Sequence, residues 1–148
     1  MALTAKVLRD WEGIPDEGSG IFTDSDIYYK GGILAFASGK LANAAAGENS
    51  LIAGIFSGEC SDGDRTDAKT IGASNTIRGK VLRGRVWLPV SGCAQTDVGG
   101  LFINSNDDAM LAVPSTANKR YVGYFALDFK TGYLLFDLRA PVSVENET

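Results

Sequence analysis

The run Lys80-Val-Leu-Arg-Gly-Arg-Val-Trp-Leu-Pro-Val90 alternates with a period of two. Val81, Arg83, Arg85, Trp87 and Pro89 occupy one set of positions. Leu82, Gly84, Val86, Leu88 and Val90 occupy the other. That is the pattern of a β-strand with one buried face. Leu82, Val86, Leu88 and Val90 are expected to face the core, with Arg83 and Arg85 on the solvated side. Pro89 has no N–H for a ladder, which confines this end to a sheet edge or a strand terminus.

Outward from this strand, the chain uses one plan twice. Lys30-Gly-Gly-Ile-Leu-Ala-Phe36 is followed about seventy residues later by Val98-Gly-Gly-Leu-Phe-Ile-Asn104. After each Gly-Gly pair comes a short apolar run, a polar turn and a Leu-Ala pair, Leu41-Ala42 or Leu111-Ala112. A small, polar stretch then leads to Leu51-Ile-Ala-Gly-Ile-Phe56 or Tyr121-Val-Gly-Tyr-Phe125, with Gly54 and Gly123 in matching places. Arg85-Val-Trp-Leu-Pro-Val90 and Asp137-Leu-Arg-Ala-Pro-Val142 suggest that the copies also end alike. Two units are too few for a solenoid, which needs about three. A single domain from two similar halves is expected.

Further strands are read at Ile27–Lys30, Met110–Val113, Tyr121–Phe129 and Tyr133–Leu138, with a hairpin turn at Lys130-Thr-Gly132. The total is eight to ten short strands with no convincing long helix. The fold class expected is all-β, a barrel or sandwich over residues 27–142. Residues 1–26 have a different texture. Leu3, Val7, Leu8 and Trp11 have roughly helical spacing, but Gly13-Ile-Pro-Asp-Glu-Gly-Ser-Gly20 reads as a loop. The segment is expected to be an arm that needs a partner surface, or a lid in which Leu8, Trp11 and Ile14 fold over the barrel end. Residues 143–148 are expected to be a frayed polar tail.

The 148 residues suit one domain with one sizeable core. A net charge of -4 argues against a nucleic-acid partner, which would demand a basic face. No run of apolar residues is long enough for a membrane helix. The opening Met-Ala-Leu-Thr-Ala-Lys lacks the regions of a secretory signal, so synthesis in the cytoplasm is expected. Cys60 and Cys93 are therefore expected to be thiols, and their pairing stays open.

The chain contains no histidine. This removes the commonest general base and zinc ligand, and every Ser-His or Cys-His pair. No nucleophile elbow or Walker loop is present, and neither an enzyme nor a cofactor is expected. The most site-like cluster is Glu59-Cys-Ser-Asp-Gly-Asp-Arg-Thr-Asp67. Asp62, Asp64 and Asp67 offer hard oxygen ligands, but Asp67 stands where an EF-hand loop needs glycine and Ala73 where it needs glutamate. A solvated loop is the expectation there.

The chain resembles the capsid decoration (cement, or head auxiliary) proteins of tailed bacteriophages. The resemblance rests on the Met-Ala-Leu-Thr-Ala opening, Ile27-Tyr-Tyr-Lys-Gly-Gly-Ile-Leu34, the Gly-Lys-Leu-Ala turn running into Leu-Ile-Ala-Gly-Ile-Phe, Thr96-Asp-Val-Gly-Gly-Leu-Phe-Ile103, and Val122-Gly-Tyr124. It covers about residues 27–140, with Ser57–Gly79 as a longer lead-in than the family pattern has. The resemblance implies a virion structural protein, a homotrimer on the outside of the phage head. Its partner would be the major capsid protein lattice, with neither nucleic acid nor membrane bound directly. On that reading the arm is the capsid contact, with Trp11 as anchor and Leu3, Val7, Leu8 and Ile14 around it. Removing residues 2–20 is then expected to spare the barrel and abolish capsid binding. A tail or fibre module, or a small carbohydrate- or nucleotide-binding barrel, are the alternatives.

Overall fold

A computed structural model describes residues 2–45, 51–113 and 119–146. Among them lie thirteen strands: β1 (Asp10–Ile21), β2 (Asp26–Tyr29), β3 (Ile33–Ala37), β4 (Lys40–Asn43), β5 (Ile52–Cys60), β6 (Ala68–Ile71), β7 (Arg78–Pro89), β8 (Leu101–Asn104), β9 (Met110–Ala112), β10 (Lys119–Phe125), β11 (Asp128–Lys130), β12 (Tyr133–Asp137) and β13 (Val142–Asn146). One 3-10 turn, Gln95–Asp97, precedes β8. The protein is all-β, with antiparallel sheets, and has no helix among the described residues that is long and apolar enough to cross a membrane.

The alternating run Lys80–Val90 lies within and just past β7, the spine of the larger sheet. β1 pairs along one edge of β7, from Asp10↔Trp87 to Ile21↔Arg78. The other edge is divided. β5 takes the first half through Ile55↔Leu82, Phe56↔Val81 and Cys60↔Gly79. β12 takes the second, from Tyr133↔Pro89 to Asp137↔Arg85. The sheet therefore forks near Gly84, whose carbonyl accepts the N–H of Leu138.

The fork explains how β7 is buried. Val86, Leu88 and Val90 face the core, as the alternation demands. In the first half the buried side chain is Val81, while Leu82 is only half-buried. Here a second core lies against the opposite face, built from Phe22, Tyr28, Leu34, Leu41, Ala53, Phe56, Ile71 and Val81. β3 is sandwiched between the two: Ile33 and Ala35 point into the first core and Leu34 into the second. β5 keeps both faces filled across a register shift opposite Leu34 and Ala35, where Gly54 adopts φ 150°.

The Gly-Gly duplication has a structural counterpart. In the first copy β3 lies between β4 and β5, and β5 is followed outward by β7. In the second, β8 lies between β9 and β10, and β10 is followed outward by β13. The two copies meet over the first core, where Phe102, Met110 and Tyr124 face Ile33, Ile52 and Ile55. The Tyr124 hydroxyl accepts the Ile52 N–H at 3.2 Å, tying the copies together. The expected likeness of the copy ends does not hold. Arg85–Val90 belongs to one strand and its bridge, whereas Asp137–Val142 spans the end of β12, a turn and the start of β13.

Two boundaries differ from expectation. Of the arm expected over residues 1–26, the described residues 2–26 are not separate from the body, since Asp10–Ile21 form β1 on the spine strand and Phe22 belongs to the second core. Of the tail expected over residues 143–148, residues 143–146 belong to β13, paired from Lys119↔Asn146 to Gly123↔Val142, and 147–148 lie outside the described residues. Backbone pairing to β7 and β10 brings these polar stretches into the sheets, and Trp11 and Phe22 add side-chain burial to the first of them.

Candidate docking surface

The five residues expected to contact a partner, Leu3, Val7, Leu8, Trp11 and Ile14, do not form a helical stripe. Residues 2–9 run irregularly across the body, and β1 follows. The path is fixed by backbone bonds. The Val7 N–H donates to the Lys30 carbonyl at 2.9 Å, and the Leu3 N–H to Asp107 Oδ1 at 2.8 Å. Gly31, with φ 86°, is required here: a Cβ on it would lie 1.9 Å from the Val7 carbonyl oxygen. The Gly-Gly signal that opens the first copy thus provides the seat for the chain terminus.

Arg9 is the fastener. Its guanidinium is almost wholly buried, donating from Nε to the Gly31 carbonyl at 2.8 Å and pairing with Asp108 at 3.3 Å. A buried guanidinium is retained only where its donors are matched. Burial pulls the Arg9 pKa down, and Asp108 opposes that shift. Burial raises the Asp107 carboxyl, beside it, above its ordinary value. The Asn/Asp turn of the second copy, read from sequence as a plain turn, thus clamps the N-terminal segment. No sequence signal reveals this, because about a hundred residues separate the partners.

The five residues divide by what they touch. Leu3 and Val7 are half-buried against the Gly31-Gly32 seat, and Trp11 packs on the first core. Leu8 is 80% exposed and Ile14 93% exposed. Leu8 stands at the rim of a recess of about 190 Å³ lined by Val7, Arg9, Asp10, Trp87, Pro89, Lys130 and Tyr133. Trp87, placed by alternation on the solvent side, is buried there and donates its indole N–H to Glu12 at 3.1 Å. Lys130 lies 4.7 Å above the Trp87 ring and 2.7 Å from Asp10. Trp87 and Tyr133 give the recess the aromatic character enriched in protein interfaces, while Asp10 and Lys130 pair with each other.

The acidic loop is arranged differently. Lys69 Nζ lies 2.7 Å from Asp62 and 2.5 Å from Asp64, and Lys6 lies 3.1 Å from Asp67. The carboxylates suggested as hard ligands are neutralised by the chain's own ammonium groups. Those bonds hold Asp62 below its ordinary pKa and Lys69 above its own. Cys60 and Cys93 are free thiols and pack against different cores, Cys60 on the second and Cys93 on the first. No protein-family model, curated protein or solved structure matches the chain.

Proposed function

We propose that this protein is a decoration protein of a tailed-bacteriophage head, docking on the coat lattice through the Leu8 recess. The observation that carries the reading is the fastening of Leu8. Arg9 and Gly31 fix the segment to the body, and an 80% exposed leucine is left standing beside Trp87, Pro89 and Tyr133. Rigid presentation of apolar anchors reduces the entropy lost on docking. The sequence resemblance to head decoration proteins supplies the partner. A protein that binds the assembled lattice and not free coat subunits stabilises the lattice by mass action, about 2.7 kcal/mol per site at a hundredfold excess over Kd.

The test is co-sedimentation with expanded capsids lacking the protein, scored by gel and by capsid melting temperature. Saturable binding that raises the melting temperature is the expected result. Leu8→Asp should weaken it by at least tenfold while the isolated protein melts unchanged. Wild-type protein that stays in the supernatant would sink the reading. Deleting residues 2–20 is no longer a usable test, because it strips most of β1 from the spine strand.

A further inference from the structure

We infer that residues 2–12 are an exchangeable segment, seated in the closed chain on its own body and in an assembled form on a second copy. The inference rests on the break in β1 and is independent of the capsid reading. The ladder with β7 runs from Ile21 to Asp16 opposite Arg78 to Arg83, and resumes with Glu12 opposite Arg85. Gly13, Ile14 and Pro15 together face Gly84 alone. On the far side of this break, every fastening is non-covalent: Arg9 to Gly31 and Asp108, Val7 to Lys30, Leu3 to Asp107, and Glu12 to Trp87. A second copy offers the same seat with the same contacts, so exchange costs no fastening that the closed chain has.

The hinge residues suit an extended crossing, being part of a strand already in the closed chain. A residue before proline is biased towards extended conformations, and Pro15 fixes its own φ. Gly13 at φ 86° lies in the bulge that keeps both halves of β1 on the same β7. Extended, three residues span roughly 10 Å, enough to step between two adjoining bodies. Ile14 supplies the gain. It is 93% exposed in the closed chain. Two hinges crossing in a reciprocal exchange run antiparallel and bring their Ile14 side chains together, out of water. The occupant of the seat is therefore a second copy of this chain, contributing its own residues 2–12.

A disulfide reads the topology directly. Glu12 and Arg85 are directly opposed across the antiparallel β1–β7 ladder, where Cα atoms lie about 4.5–5.5 Å apart, within disulfide reach. In a Cys60→Ser/Cys93→Ser background, Glu12→Cys/Arg85→Cys is oxidised and run on a denaturing, non-reducing gel. Exchange gives a covalent two-chain species as the main product. An exclusively intramolecular bridge, running as a single 15.7 kDa chain, overturns the inference. If that variant does not fold, the native Lys6–Asp67 contact serves instead. Protein refolded from a mixture of unlabelled and nitrogen-15-labelled chains is treated with a carbodiimide, and the Lys6–Asp67 crosslink is read by mass spectrometry. Crosslinks joining a labelled to an unlabelled peptide support exchange. Crosslinks confined to like labels overturn it, as does a wild-type protein that sediments as a monomer at its highest soluble concentration.

Discussion

Phe56 and Phe125 hold matching places on equivalent strands of the two Gly-Gly units, each two residues past the matching glycine, yet Phe56 is 1% exposed and Phe125 47%. The strand order around them is the same, β7-β5-β3-β4 in one copy and β13-β10-β8-β9 in the other. The difference is what lies on the outer face. In the first copy, β2 and β6 pair with each other and bring Tyr28 and Ile71 onto that face. Phe22 meets Phe56 edge-on at 5.3 Å. The long lead-in after β5 supplies β6. In the second copy β10 is followed at once by β11, and Phe125 and Leu127 stay exposed. One strand plan can thus be an inner layer or an outer one, depending on an insertion.

The largest expected effect breaks that comparison directly. Phe56→Ala empties the second core and should cost about 3–5 kcal/mol, whereas Phe125→Ala should cost about 0.5 kcal/mol or less. Urea unfolding of the two variants decides it. Equal losses would mean that the second copy is covered in solution by something that buries Phe125.

The matching glycines sharpen the comparison. A Cβ at Gly54 would lie 2.7 Å from the Leu82 carbonyl oxygen, on a backbone already at φ 150°. At Gly123 the nearest atom is the Leu101 side chain at 2.9 Å, with the Phe102 carbonyl at 3.0 Å. Gly54→Ala combines backbone strain with a backbone clash and should cost about 3 kcal/mol. Gly123→Ala should cost about 1–2 kcal/mol, since a leucine side chain can move. Reversal of that order in thermal melts would show that the glycines serve another purpose.

Arg9 joins the copies, taking the Gly31 carbonyl from the first and Asp108 from the second. Arg9→Met keeps the bulk and leaves Asp108 and the Gly31 carbonyl without this donor. A loss of about 2 kcal/mol is expected, with faster hydrogen exchange at the Val7 and Leu3 amides. Protection unchanged at those amides would show that the segment is held without Arg9.

Much of this was legible in the sequence, for reasons that also explain the failures. β3, β5, β8 and β12 carry apolar runs bounded by turn residues, and the repeat announced two similar halves, though not their strand order. β1 was not legible. Its residues are mostly exposed on both faces, so Asp10-Trp-Glu-Gly-Ile-Pro-Asp-Glu-Gly-Ser-Gly-Ile21 has no alternation to read, and ladder bonds to β7 define it. β7 was legible as a strand but not in its facing. A period of two says which residues share a face, and cannot say that one core lies beneath Val86 and another above Val81. The sequence named Leu3, Val7, Leu8, Trp11 and Ile14 alike as contact residues. It could not show that Leu3, Val7 and Trp11 are used by the chain itself, nor that Trp87, Pro89 and Tyr133 complete the recess. The recess contacts join Leu8 to residues more than seventy positions away.

The smallest effect concerns acid, and it too separates the copies. Glu59 and Asp62, in the lead-in of the first copy, are held below their ordinary values of 4.5 and 3.8 by hydrogen bonds from Lys80 and Lys69. Their folded pKa values are depressed, so the stability they contribute is present above those ordinary values and is lost as pH falls through the depressed ones. Asp107, in the turn of the second copy, is shifted the other way by burial. Its contribution therefore has the opposite sign: its protonation in the folded chain precedes that of an unfolded aspartate as pH falls, and favours the fold across that interval. Carboxyl NMR titration should accordingly show Asp107 protonating before Asp62, at a pH where the Asp62–Lys69 contact is still intact. The Asp62 and Glu59 signals should then move with the loop amides around Gly63. Asp107 titrating below Asp62 would mean that the Arg9 clamp dominates its burial, and that the second copy's turn, like the first copy's lead-in, is held by an ion pair.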